Sequence, residues 1–189
     1  MENPMTSEVR VLRRIGAFAV TATALVLGFL LLRVSASGQQ KAASAKDQIV
    51  GVWKLVSAEA EQDGKRVEFF GPDPVGIYVF DANGRFFSQI SRSDLPKFAS
   101  GNRYQGTPEE NKAVVQGFIA YFGNYSVTEP GVLTLHMVSS SFPNFNGTDQ
   151  KRLIHMDGDE MQYSSEGTSF GASAHQVWRR LGPNDKLTK

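Results

Sequence analysis

The chain predicts an all-β fold: roughly eight antiparallel strands closing into a barrel, with one inserted helix and an apolar leader helix at the N-terminus. Three observations carry this. Short apolar segments with period-two alternation recur along the chain, separated by Gly-, Asp- and Asn-rich turns. Thirteen Phe, five Tyr and two Trp among 189 residues are many aromatics, and bulky rings favour strands and a wide interior. Only one segment, opening at Thr107, carries the start signal and apolar stripe of a helix.

In chain order, residues 1–36 have the layout of an export signal. Arg10, Arg13 and Arg14 precede an apolar run from Ile15 to Leu32, and Val34-Ser35-Ala36 supplies small residues of the kind a signal peptidase reads. An uncleaved signal anchor is the alternative, since the 18-residue run approaches the length of a membrane span. Either way the domain is expected outside the cytoplasm: in the periplasm or secreted, or membrane-anchored on the extracytoplasmic side. Residues 37–48 read as a polar linker. The leader holds four of the 20 basic residues (Arg10, Arg13, Arg14, Arg33) and two of the 19 acidic ones (Glu2, Glu8), so the remainder has a formal charge of −1. No basic field remains to recruit nucleic acid.

The first strand spans residues 49–60. Gly51, Trp53 and Leu55 share one face and Val52, Lys54 and Val56 the other. A small Gly beside a large indole gives the ring room and lets another chain segment approach, so the sheet is expected to curl back over Trp53. Asp63-Gly64 is a hairpin signal, and residues 65–70 return. Pro72 and Pro74 break regular structure. Strands follow at 77–80 and 85–91, joined by Asp81-Ala82-Asn83-Gly84. Thr107-Pro108-Glu109-Glu110 then combines an N-cap, Pro at the first helical position and Glu at the third, ahead of an apolar stripe of Val114, Val115, Phe118 and Ile119. Strands resume at 121–127, 132–139, 149–156, 161–164 and 174–181, leaving 182–189 as a tail.

The absence of Cys excludes disulfides, thiol nucleophiles and Cys-ligated metals. Gly167-Thr168-Ser169-Phe170-Gly171 matches a nucleophile-elbow pattern, but that motif needs a strand-to-helix turn and here sits in a Ser/Gly loop. His155, Asp157, Asp159 and Glu160 flank an Asp-Gly-Asp hairpin turn and read as turn residues; no metal site and no cofactor are expected. The chemically interesting set is Tyr125, His136 and Arg152, on three successive strands. Period-two counting places His136 with Val132, Thr134 and Val138, Arg152 with Gln150, Ile154 and Met156, and Tyr125 with Tyr121, Gly123 and Val127. If those faces point inward, the three side chains line a ligand site, and a buried Arg requires an anionic or hydrogen-bonding partner. A polar network that closes the barrel end is the alternative. Arg179 or Arg180 is expected to pack across Trp53 as a cation over an aromatic face, which with Gly51 makes a structural cluster.

These motifs together resemble the bacterial and fungal lipocalin-like domain family, within the wider calycin barrels. The resemblance covers about residues 49–181. It rests on Gly51-Val52-Trp53-Lys54-Leu55-Val56-Ser57, the run from Gly71 to Tyr78, Asp81-Ala82-Asn83-Gly84-Arg85 and Tyr121-Phe122-Gly123-Asn124-Tyr125. Phe142-Pro143-Asn144, the run from Gly147 to Arg152, and Trp178-Arg179-Arg180 complete it. The chain departs from the family pattern at His136-Met137, where a His pair is common, and at Phe145, where Trp is common. The resemblance implies a barrel with an internal cavity for a small, largely apolar molecule. The expectation is thus an exported, non-catalytic binder of a small lipophilic ligand, touching a membrane only through its N-terminal segment. The alternative is a cyclase, isomerase or hydrolase using the same cavity, with His136 as general acid–base and Arg152 or Tyr125 orienting an oxyanion.

Overall fold

Strand β1 (Gly51–Gln62) is the seam on which the molecule closes. The computed structural model describes residues 44–128, 130–166, 168–169 and 171–187, so the leader and most of the linker lie outside the described residues. After β1 come β2 (Lys65–Val67), β3 (Val75–Phe80) and β4 (Arg85–Ser91). A helix, α2 (Pro108–Gly117), then leads into β5 (Phe118–Thr128), β6 (Val132–Ser140), β7 (Asp149–Asp157), β8 (Glu160–Ser165) and β9 (Ser173–Arg180). A short helix, α1 (Ala45–Ile49), precedes β1.

Every strand pairing is antiparallel, and the order runs β2-β1-β3-β4-β5-β6-β7-β8-β9, with β9 pairing back onto β1. Eight strands therefore close a barrel, and β2 is an extra strand beside the far end of β1, where Ala60 faces Val67. The closing pair runs from Trp53↔Arg180 to Glu61↔Ser173, with a bulge between Leu55 and Ser57. Val56 points out, 56% exposed, and the bulge shifts the alternation after it so that Ala58 and Ala60 continue the inward face of Trp53 and Leu55.

The two ends of the barrel differ. At one end the chain turns tightly, at residues 81–84, between β5 and β6, where the Gly131 amide donates to the Thr128 carbonyl at 2.9 Å, and at 158–159. At the other lie the long connections: the one from β1 through β2 to β3, the helix-bearing 92–117, 141–148 and the one from β8 to β9. Trp53 sits toward the tight end, fully buried, and its indole N–H donates to the Ile49 carbonyl at 2.8 Å. Helix α1 supplies that carbonyl. It forms within the expected linker because Ser44 and Asp47 cap each other reciprocally, Ser44 Oγ accepting from the Asp47 amide at 3.2 Å. Ile49 is wholly buried, so the segment is anchored by its apolar end as well as by its cap.

Several bounds differ from the sequence reading. β1 starts at Gly51 instead of residue 49, because Ile49 completes α1. β2 stops at Val67, since Phe69 and Phe70 turn away to face the barrel mouth. β5 starts at Phe118, directly after α2. The helix does not bury the whole predicted stripe: Val115 is 78% exposed, whereas Gly117 is buried beneath Arg92 and Leu95. The helix roofs an opening and does not lie flat on the core, so its apolar face has no floor to pack against.

Candidate functional site

The open end leads into the barrel in two stages. An outer vestibule of about 790 Å³ lies under α2, walled by Leu95, Pro96, Val115, Phe118 and Phe142, with Glu68, Arg92 and Asp94 at its rim. An inner chamber of about 50 Å³ continues it between the barrel walls. The two share Phe69, Phe70, Ile119 and Ser169, which form the neck between them. Ile90, Phe145, Ala58 and Ala174 are among the chamber's apolar lining, and Tyr121, Tyr163, Arg152 and Gln176 are among its polar residues, with Glu59, Ser165 and Thr168. A chamber this small holds a few waters or one functional group, not an aromatic ring.

Strand periodicity puts the polar side chains there. Arg152 and Ile154 are the inward residues of β7, Tyr121 and Tyr125 of β5, and Met161 and Tyr163 of β8. Arg152, 6% exposed, donates from Nε to the Tyr163 hydroxyl at 2.5 Å and from Nη1 to the Lys151 carbonyl at 2.8 Å. The Tyr78 and Tyr121 hydroxyls are 3.1 Å apart, and the Tyr78 ring packs 6.1 Å from that of Tyr163. Beside Tyr121 in the ladder, the fully buried Ser88 hydroxyl makes no hydrogen bond of normal geometry.

Burial pushes the Tyr78 and Tyr121 hydroxyls well above the ordinary phenol range; Tyr121 and Tyr163 add to it at Tyr78, and Tyr163 adds to it at Tyr121, where the hydrogen bond with Tyr78 works the other way. Both therefore stay protonated at any working pH. Burial works against the Arg152 charge, and the Tyr163 hydroxyl, which accepts its Nε–H, favours the charged guanidinium, whose ionisation stays above the ordinary value. The result is a permanently charged cation among neutral phenols.

The three residues singled out on β5, β6 and β7 do not converge. Arg152 lines the chamber. Tyr125 is buried, but its hydroxyl donates to the Asp81 carbonyl at 2.7 Å, tying the turn at the tight end, and it does not line the chamber. His136 is on the outer face: Leu133, Leu135 and Met137 point inward on β6, and the His136 ring meets Asp149 Oδ1 at 2.8 Å on the exposed surface. The expectation that His136 faces the cavity is thereby corrected, and its proposed role as general acid–base there goes with it. Closure of the sheet decides which face is inner, and the fuller apolar face of β6 wins.

At the tight end, Arg180 lies over the Trp53 ring, 4.1 Å from its centroid, and donates to the Val50 and Gln48 carbonyls. Gly51 makes this possible: a Cβ there would stand 2.7 Å from Arg180 Nη1. Arg179 instead faces outward, as strand alternation requires of its neighbour. The Gly167–Gly171 pattern lies partly outside the described residues; Ser169 itself lines the neck.

Sequence reading missed Tyr78, Tyr121 and Tyr163 as one group. Each is inward by alternation, but they sit on β3, β5 and β8, and nothing local to any strand joins them. The available signal was Arg152 itself, a cation on an apolar face that needs hydrogen-bond acceptors.

A family model described as a lipocalin-like domain matches residues 50–181. Among curated proteins, the chain is similar to the 4'-hydroxy-3'-methoxypropiophenone carrier protein ppsC of Aspergillus oryzae. The two are 29% identical over 105 residues, covering 50% of this chain and 95% of that protein.

Proposed function

The chain belongs to the lipocalin-like domain family, and from that premise we propose that its barrel is a non-catalytic carrier of one small, lipophilic molecule. The observation that carries this reading is the pair of adjoining cavities at the open end, vestibule and chamber, which share Phe69, Phe70, Ile119 and Ser169 and are lined mainly by aromatic and aliphatic side chains. The vestibule accommodates an apolar body of ring size, and the narrow chamber admits one polar group at its end. The similarity to a carrier of an aromatic ketone supports the same reading. The test is organic extraction of the purified full chain followed by mass spectrometry, together with titration of the neutral fluorescent probe N-phenyl-1-naphthylamine. Saturable, one-to-one probe binding is expected. Neither an extracted molecule nor probe binding would overturn the proposal.

We also propose that residues 1–36 deliver the domain across a membrane, as a cleaved signal or a retained anchor; the basic, apolar and small-residue order of that stretch supports this. Measuring the mass of the protein recovered from its native cell, with its fractionation, tests both versions. A full-length protein in the soluble cytoplasmic fraction would refute them.

A further inference from the structure

The inner chamber presents hydrogen-bond donors and a positive charge, and the one acidic residue of its lining, Glu59, is paired with Arg66 at 2.6 Å and not with that charge. Arg152 has five N–H groups, and two are used, by the Tyr163 hydroxyl and the Lys151 carbonyl. Both acceptors are neutral. Among the described residues no carboxylate pairs with this guanidinium, although it is 6% exposed. The other polar groups are also arranged to donate. Tyr163 Oη already accepts from Arg152, which leaves its proton to give. In the Tyr78–Tyr121 pair, whichever hydroxyl accepts keeps its own proton for another partner. Gln176 Oε1 accepts from the Trp178 indole at 3.1 Å, which leaves its amide N–H groups. A buried charge without a counter-charge is unfavourable unless something supplies one.

We propose that the carried molecule is a carboxylic acid, bound with its carboxylate in the inner chamber against Arg152 and its apolar body in the vestibule. This rests on the carrier reading above. Two features select a carboxylate. The chamber, about 50 Å³, suits a group of that size. The guanidinium's remaining N–H groups match two oxygens held in a plane better than one. Tyr163, Tyr121 and Gln176 supply further donors to the same oxygens.

The experiment uses displacement of N-phenyl-1-naphthylamine from the full chain by 3-phenylpropanoate and by its neutral isostere 3-phenylpropanamide, at pH 7. The acid should displace the probe at a concentration about tenfold lower or more than the amide. Arg152→Gln should bring that ratio close to one while the neutral probe still binds. Tyr163→Phe keeps the guanidinium and removes one donor, so the ratio should fall severalfold without vanishing; it serves if Arg152→Gln fails to fold by circular dichroism. Probe binding with acid and amide equal in the wild-type chain would overturn the carboxylate assignment and leave the carrier reading standing. No probe binding at all would remove the carrier reading, and this assignment with it.

Discussion

Replacing Trp53 with Ala tests whether the tight end of the barrel is a structural plug. The indole is wholly buried. A Trp side chain removes about 150–250 Å² from water, which at ~25 cal/mol per Å² is about 4–6 kcal/mol as an upper bound. Its N–H bond to Ile49, at 2.8 Å, adds about 1 kcal/mol and leaves a buried carbonyl unpaired when lost. Arg180, 4.1 Å above the ring, loses its aromatic face. Partial collapse of the cavity offsets some of this, so the expected loss is about 4 kcal/mol, within the usual range for Trp truncation. A domain of this size has about 5–15 kcal/mol in all. The thermal midpoint should fall by about 12 °C and the urea midpoint by about 2 M. Far-UV circular dichroism is the assay, because removing one of two indoles distorts fluorescence. Trp53→Phe keeps a ring under Arg180 and should lose only about 1–2 kcal/mol. A Trp53→Ala midpoint within 0.3 M (roughly the resolving power of a urea titration) of wild type would refute the reasoning, since no fully buried indole with a hydrogen bond is so cheaply removed.

His136→Ala should leave probe binding unchanged and alter stability by about 0–1 kcal/mol, since its contact with Asp149 is exposed; loss of probe binding would contradict its outward placement. Gly123→Ala should destabilise by about 2 kcal/mol or more, because a Cβ there would lie 1.9 Å from the His136 carbonyl oxygen and only backbone movement relieves it; an unchanged denaturation midpoint would show that the β5–β6 pairing, whose register shifts between Phe122 and Gly123, yields freely there. Asp81, Asp94 and Glu110 are each held below the ordinary carboxylate range: by the Arg85 amide at Asp81, by the Arg92 guanidinium at Asp94, and by the Ala99 amide at Glu110. Their contribution is complete above the unfolded values, about pH 4, and is lost as pH falls through the lower folded ones. The urea midpoint should therefore drop on acidification below about pH 4, and a flat profile down to pH 2.5 would refute that assignment.

Local chemistry wrote much of the fold into the sequence. The capping box at Thr107, the turns at Asp63-Gly64 and Asp81–Gly84, and the alternation around Trp53 are each specified by residues within a few positions of one another; the box at Ser44 is as local, but from sequence the segment reads as a linker. Such features need no partner from elsewhere. The meeting of Arg180 with Trp53 was also legible in outline, because closure of a sheet brings its last strand to its first, and the register Trp53↔Arg180, with Trp178 buried two residues away, then set which of the two arginines faced inward. What alternation leaves open is the sign of each face. On β6, one face carries Val132, Thr134, His136 and Val138 and the other Leu133, Leu135 and Met137; closure buries the second and puts His136 outside. The chamber itself was not legible. Its polar end joins Arg152 and Tyr163 on adjacent strands to Tyr78 and Tyr121 across the barrel, and its size depends on where Phe69, Phe70 and Phe145 come to rest. Those are distances between residues far apart in the chain, and only the closed barrel determines them.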